Sequence, residues 1–503
     1  MPTDAPQYDL AIIGGGINGS GIARDAAGRG LKVLLLEKDD LAAHTSSQST
    51  KLVHGGLRYL EHYEFRLVAE ALDEREVLLR AAPHIIAPLQ FVLPHEPHLR
   101  PAWMIRAGLF LYDHLGRRET LPSSFGVRLR GTKWGAGLKS QFERGFAYAD
   151  ARVDDARLVI LNAMAARQLG ADIRTRAKVV GARRDRGWWR IAFNDLSGTP
   201  SEAKARTLVN AGGPWVKELL DKIAASPIAA GVRHVKGSHI VVPRVHREEH
   251  AYILQNADQR VAFIIPYQDG YSLIGTTDVA VDEFEAPAIS DAEIDYLCEI
   301  ANAYLAKPIA RRDVVWSYSG VRPLYDDGAS DPSDITRDYV LEIEAAKDGA
   351  TPLVSIFGGK ITTYRRLAEA VLAKLKPFLP RMKSDWTRGE PLPGGDMPKG
   401  GLSAYERSLS SLYRWLPANL GSALVRRHGT RITHVLGEAR SVDALGRHFG
   451  DTLYAAEVDY LVAQEWARTA DDVLWRRTKC GLHLDPSQRD AVAHYLREQY
   501  GHK

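Results

Sequence analysis

The feature that most constrains this chain is a glycine turn, Gly14-x-Gly16-x-x-Gly19, placed between a strand-like run and a helix. Residues 9–13 are a short, apolar, β-rich run suited to a strand buried on both faces. A small-residue helix through Ala23, Ala26 and Ala27 follows and stops at Gly28 or Gly30. Residues 32–37 read as the second strand, so the whole is a βαβ unit. Each glycine serves a separate physical purpose. Gly14 permits the tight turn, Gly16 lets the backbone approach a pyrophosphate, and Gly19 lets the helix pack on the sheet. Free N–H groups at the helix start favour phosphates, and Glu37 can accept from ribose hydroxyls. A dinucleotide site is expected, although this fingerprint does not separate FAD from NAD.

Two further segments bear on that choice. Thr45-Ser46-Ser47-Gln48-Ser49-Thr50-Lys51-Leu52 is a loop packed with donors soon after the adenosine half-site. Phe357-Gly358-Gly359-Lys360-Ile361-Thr362-Thr363 repeats the order strand, glycine turn, helix start. Its backbone donors suit an anionic flavin ring or ribityl chain. An NAD domain usually completes its site within one contiguous α/β domain, whereas this chain returns to its site late. Ordinary helix caps are the competing explanation for both segments.

Elsewhere the spacing predicts helices over 61–80, 149–170, 291–305 and 363–375. It predicts strands over 208–213, 238–243, 261–266, 271–274 and 352–357, with 172–175 and 188–193 as antiparallel strands. After a linker at 391–395 the chain reads as helical to its end. Lys and Arg number 66 against 62 Asp and Glu, a net +4 without long basic runs. Nucleic-acid binding is not called for; an acidic substrate or an anionic membrane surface suits the balance. Two distant cysteines, Cys298 and Cys480, build no disulfide framework, zinc cluster or iron–sulfur site, so no metal is expected and a reducing compartment is. A strand starting by Asp9 leaves no room for a signal peptide, and no run of 18 apolar residues spans a membrane.

The motifs Gly14 to Gly21, Thr45 to Lys51, His54-Gly55-Gly56-Leu57-Arg58-Tyr59-Leu60, Asn210-Ala211-Gly212-Gly213-Pro214-Trp215, Lys236-Gly237-Ser238-His239, Gly275-Thr276-Thr277-Asp278, Ser319-Gly320-Val321-Arg322-Pro323 and Phe357 to Lys360 occur in a fixed order. In that order the chain resembles the FAD-dependent, aerobic glycerol-3-phosphate dehydrogenases over nearly its whole length. The resemblance implies an α/β fold: a discontinuous Rossmann-like FAD-binding domain (1–95, 145–235, 315–388), a β-rich substrate or cap region of the D-amino-acid-oxidase type (96–144, 236–314), and an all-α C-terminal domain (396–503). It implies FAD contacts at Gly14, Gly16, Asn18, Gly19, Glu37, Thr45, Ser46, Ser47, Lys51, Leu52, Ala211, Gly212, Gly359, Lys360 and Thr362.

The implied reaction oxidises sn-glycerol 3-phosphate to dihydroxyacetone phosphate. A flavin oxidation of this kind needs the carbinol hydrogen over the flavin, a base for the hydroxyl proton, and a grip on the phosphate. The resemblance places Arg58, Arg322, Arg337 and Lys360, with Tyr59, around the phosphate; arginine's fork suits it. His54 is the favoured base because its ordinary pKa is near neutrality, with Arg58 and Lys360 beside it in the catalytic set. His239 is the second candidate and a substrate contact; a structural histidine is the alternative for each.

The family passes its electrons to a membrane quinone from the inner, cytoplasmic membrane face, as a homodimer. On a helical wheel, 100–118 gathers Met104, Ile105, Gly108, Leu111, Tyr112 and Leu115 on one arc, with Trp103 and Phe110 near the arginines. That pattern suits an interfacial helix or a core helix with two exposed aromatics. A glycerol-3-phosphate oxidase making peroxide is the main alternative, and a flavin-binding module without turnover is another. The segment 471–478 resembles part of the family's C-terminal domain; packing, dimer contact and a cap over the quinone site all remain open for it.

Overall fold

A computed structural model describes residues 5–96, 100–224, 226, 228, 231–256, 260–326, 338–345 and 351–501. Its first sheet centres on Gln7–Ile13, which lies parallel between Val33–Leu36 and Pro200–Asn210. Leu353–Phe357 continues the parallel set beyond Pro200–Asn210, and Val340–Glu344 closes that edge antiparallel. Helices Ile17–Gly28, Asp155–Gln168 and Tyr364–Leu375 pack together against one face around Leu10, Ile12, Ile22 and Leu367. Segments far apart in sequence thus bring their strand ends, and the glycine turns that follow them, to one side of the sheet. That is where an open α/β sheet binds its ligand.

The expected antiparallel strand at 172–175 is corrected: Asp172–Arg174 pairs parallel with Val33–Leu36. The helix Asp155–Gln168 carries the chain across the sheet before this strand, and such a crossover delivers a parallel neighbour. The antiparallel partner of Trp188–Asn194 is instead Lys178–Asp185. Residues 149–153, expected as helix, belong to the strand Arg144–Val153; alternation there is masked because both faces are buried. The helix expected over 61–80 begins later, as Phe65–Ala81, after a tight turn of 3₁₀ helix at Leu57–His62.

The second sheet runs from Leu52–Val53 through Arg144–Val153, Ile86–Pro94, Ala251–Gln255, Val261–Tyr267 and Tyr271–Gly275 to Gly231–Pro243. Gly231–Pro243 also pairs with Trp316–Asp326, placing Arg322 opposite Val235 and Tyr318 opposite His239. The strands Ile86–Pro94 and Arg144–Val153, which fall in segments expected of the FAD-binding domain, pair in this sheet. Helix Asp291–Tyr304, opened by a capping box between Ser290 and Glu293, covers one face.

Helix Ala102–Leu115 covers the other face. It buries Leu109 and Tyr112 while leaving Trp103, Met104, Phe110 and Leu111 exposed. Met104 and Leu111, which the wheel places on one apolar arc with Tyr112, are exposed while Tyr112 is buried. The C-terminal region packs Gly401–Leu412, Ala418–His428, Ala455–Glu465 and Pro486–Tyr500 around its own core, which includes Leu424, Val458, Leu461 and Val492. It is not wholly helical, since His448–Gly450 and Leu453–Tyr454 form a short hairpin.

Candidate active site

The turn after the first strand is forced by close packing. Gly14 has φ 111°, and a Cβ there would stand 2.4 Å from the Ala211 carbonyl oxygen; one on Gly19 would stand 1.9 Å from that of Gly14. The turn therefore lies directly beside the 210–212 turn, and the helix start is brought up to it. Glu37, at the end of the neighbouring strand, accepts from Gly15 N at 2.6 Å and from Asp39 N at 2.8 Å. Burial raises its pKa, opposed by those backbone donors.

The loop from Thr45 crosses over this turn. Ser46 Oγ accepts from Ile17 N at 3.0 Å, and Thr45 Oγ1 donates to the Val321 carbonyl at 2.7 Å. Asn18 donates to the Gly358 carbonyl at 3.2 Å, and Thr362 Oγ1 accepts from His54 N at 3.2 Å. Gly359 has φ 103°, a conformation that suits glycine, and faces Asn18. Residues 18, 54, 321 and 358–362 are thereby joined into one wall.

These elements enclose a cavity of about 730 Å³. Its lining includes Gly14, Gly16, Asn18, Glu37, Thr45, Ser46, Leu52, His54, Arg58, Tyr59, Ala211, Gly212, His239, Arg322, Gly359, Lys360 and Thr362. The Lys360 ammonium lies 4.0 Å from the centre of the Tyr59 ring. It is buried and has no hydrogen-bond partner among the described residues. The same holds for Asn18 Oδ1, Gln48 Oε1 and His239 Nδ1, all from residues on this lining. Buried polar atoms are seldom left so, and four around one cavity suit a polar ligand inside it.

Electrostatics separate the two histidines. Burial holds the His54 imidazole below its ordinary range, with Asp150 opposing and Lys360 and Arg75 reinforcing. His54 Nδ1 accepts from Gly56 N at 3.1 Å. His239 is pushed down to about 3 by burial, helped by Lys51 and Arg322. Its Nε2 lies 3.0 Å from Thr50 Oγ1, and its ring stacks on Tyr318 at 4.8 Å. Both rings are neutral at neutral pH.

Residues 9–365 match the family model described as FAD dependent oxidoreductase, and residues 386–502 match that of the C-terminal domain of alpha-glycerophosphate oxidase. A glycerol-3-phosphate dehydrogenase of Pseudomonas aeruginosa is 52% identical over 99% of this chain and 97% of its own. A D-erythritol 1-phosphate dehydrogenase of Brucella abortus is 52% identical over 97% of both chains. The structure of glycerol-3-phosphate dehydrogenase from Bacillus halodurans complexed with FAD aligns with a TM-score of 0.77 at 29% identity, covering 98% of this chain and 91% of that one. This chain belongs to the FAD-dependent glycerol-3-phosphate dehydrogenases.

The cofactor of this dehydrogenase is accordingly FAD. The residues present fit it: the glycine turn where a Cβ would clash, the acceptor Glu37, and the unpartnered Asn18, Gln48 and Lys360 atoms belong to one cavity. Not every expected contact of the dehydrogenase lies there. Gly19 is packed behind the turn, and Ser47 and Lys51 are buried off the lining. The Lys51 ammonium bonds both Asp155 oxygens at 2.9 Å and the Ser47 carbonyl at 2.9 Å, so it braces the loop from outside the cavity. Arg322 reaches the lining paired with Asp278. Arg337 lies outside the described residues.

Sequence reasoning did not single out Gln48, Thr50, Asp278, Lys38, His44 or Trp215, which also line the cavity. Asp278 closes the Gly275-Thr276-Thr277-Asp278 motif and Gln48 sits in the donor-rich loop, so both were within view. Lys38, 3.5 Å from the Trp215 ring, had no local signal.

Proposed function

We propose that the enzyme oxidises sn-glycerol 3-phosphate at its secondary alcohol to dihydroxyacetone phosphate and passes the electrons to a membrane quinone. The observation that carries this reading is the buried, unpartnered Lys360 ammonium beside Tyr59, on the same cavity as Arg58, Arg322 and His54. A cation left without a hydrogen-bond acceptor in such a place is stabilised by an anionic ligand. Bound FAD supplies the hydride acceptor. Lys360, Arg58 and Arg322 grip the phosphate, each charge-assisted hydrogen bond contributing about 1.5–3 kcal/mol. That grip fixes the three-carbon chain so that its alcohol lies against His54.

His54 takes the hydroxyl proton. Its neutrality at neutral pH, maintained by burial, leaves it able to accept. Nδ1 now accepts the Gly56 N–H, which leaves the neutral ring's own proton on Nε2, so accepting the substrate proton at Nε2 requires that this bond be released and the proton carried on Nδ1. His239, held by Thr50 and Tyr318, contacts and shapes the substrate end.

The acceptor reading is supported by the outward face of Ala102–Leu115, where Trp103 is 70% and Phe110 58% exposed beside Arg100 and Arg106. Aromatics among cations suit the headgroup layer of an anionic membrane. No helix among the described residues is long and apolar enough to cross a membrane. The enzyme acts as a homodimer on the cytoplasmic face of the inner membrane. Oxygen is the second reading for the acceptor, favoured by the match of 386–502 to an oxidase's C-terminal domain.

Anaerobic mixing with glycerol 3-phosphate, erythritol 1-phosphate, glycerol and lactate tests the substrate. Visible flavin absorbance should vanish fastest with glycerol 3-phosphate and persist with glycerol and lactate. Faster bleaching by erythritol 1-phosphate would move the substrate to a longer polyol phosphate. Turnover with a soluble quinone against peroxide formation in air decides the acceptor.

A further inference from the structure

The loop 37–44 has two faces. On the cavity side stand Glu37, Lys38, Ala42, Ala43 and His44. On the reverse side the Asp40 carboxylate, 3% exposed, receives Arg476 Nε at 2.7 Å and Arg477 Nη2 at 2.8 Å. Both arginines belong to the C-terminal domain, in the one-turn element Asp472–Arg477. A second tie runs through Arg176, which donates to Asp472 at 2.6 Å while its own backbone N donates to the Asp39 carbonyl at 2.8 Å. The next residue, Ala177, donates from its backbone to the Glu37 carbonyl at 2.7 Å.

We propose that Asp472–Arg477 is a positioning element for FAD: the C-terminal domain clamps the loop 37–44 from behind and so holds the ribose-binding carboxylate of Glu37 in place. The loop holds part of this shape itself, with the His44 ring 2.8 Å from the Asp39 carboxylate and Leu41 buried in the core, while the Asp40 carboxylate is held from the C-terminal side. Ala42 sits at φ 59°, a left-handed conformation that costs a β-carbon residue energy and needs support from its surroundings. Ala43 N donates to the Asp40 carbonyl at 3.1 Å, and the loop reaches back to Gly15 through the 3.4 Å contact from Ala42 N and through the Glu37 carboxylate, which accepts Gly15 N at 2.6 Å. One of the two donors to the Glu37 carboxylate, Asp39 N, belongs to the clamped stretch itself. Without these two arginines the buried Asp40 carboxylate would keep, among the described residues, only Arg176 Nη1 at 3.9 Å as counter-charge, and a short loop relieves that by moving outward. Glu37 would move with it.

The inference rests on reading the Glu37 end of the cavity as the ribose half-site, and the experiment keeps the two apart. Full-length holoenzymes of Arg476→Met, Arg476→Lys, Arg477→Met and Glu37→Gln are diluted, and FAD release is followed by recovery of flavin fluorescence. Arg476 is the primary test because it stands at the rim, 18% exposed, whereas Arg477 is fully enclosed and its loss can prevent folding. Arg476→Met should release FAD at least tenfold faster, Arg476→Lys should recover part of this, and KM for glycerol 3-phosphate at saturating FAD should stay within twofold. Wild-type FAD release by Arg476→Met, with fast release by Glu37→Gln, overturns the clamp. A lower melting temperature with unchanged FAD release makes the contact purely structural and also overturns it. Unchanged release by Glu37→Gln instead removes the ribose reading, and the proposal falls with it.

Discussion

The Tyr112 hydroxyl donates to the Asp150 carboxylate, 2.9 Å from each oxygen, and accepts the Gly55 N–H at 2.8 Å. Arg75 bonds the same carboxylate at 2.6 Å. The turn that carries His54 is therefore anchored through a buried phenol on a surface helix. Tyr112→Phe leaves the Gly55 N–H without its main acceptor and takes a donor from Asp150. It should lower stability by about 1–3 kcal/mol, read by urea unfolding, and reduce kcat because the His54 turn loosens. Tyr112→Phe with wild-type stability would remove the anchoring role.

Lys360 gives the sharpest test of the phosphate grip. Lys360→Met removes a buried charge that has no protein acceptor among the described residues, so the folded protein loses little. One charge-assisted hydrogen bond to the phosphate is worth about 1.5–3 kcal/mol, so KM for glycerol 3-phosphate should rise by about tenfold to a hundredfold. Steady-state kinetics at saturating FAD checks this, and an unchanged KM would place the phosphate elsewhere.

Much of this architecture was legible in the chain. The Gly14–Gly19 turn, the strand ends at Glu37 and Asn210, and the late return at Phe357 all have local signatures, because backbone turns of this kind demand glycine. Partnerships across the sheets were not. Lys51 reads as one more donor in a polar loop, and only the fold reveals Asp155 against it. The strand at 172–174 looks like its neighbours because pairing direction depends on the crossover rather than on residue type. The wheel for 100–118 gathers Met104 and Leu111 with Tyr112 on one apolar arc but does not tell which part of that arc is buried, because a helix lying on a surface can be apolar on two faces.

Neutral buried histidines set the pH dependence of stability. Burial pushes His84 and His239 down to about 3, against an ordinary value near 6.5. Between those limits the unfolded chain binds more protons than the folded one, so stability rises with pH across this window and is lost as pH falls. Each such histidine adds a slope of up to about 1.4 kcal/mol per pH unit. Unfolding midpoints should be flat from pH 7 to about 6.5 and then decline steadily in acid. His84→Gln should make that decline shallower; an unaltered slope would assign it to other groups.

The outer face of Ala102–Leu115 is turned away from the cavity. Trp103, Met104, Phe110 and Leu111 leave an apolar strip open to solvent there, on a helix whose inner side is already packed through Leu109 and Tyr112. A monomer gains nothing from such a strip, but a membrane surface does, since a large side chain moved out of water is worth about 1.5–3 kcal/mol. Trp103→Ala with Phe110→Ala should weaken co-sedimentation with anionic phospholipid vesicles by more than about tenfold. Flavin bleaching by glycerol 3-phosphate in solution should stay unchanged, because neither side chain lines the cavity. High salt should weaken vesicle binding of the unmodified enzyme further, through Arg100 and Arg106 at the strip's border. Equal sedimentation of the double variant and the parent would take the strip out of membrane contact and leave a second protein surface to cover it.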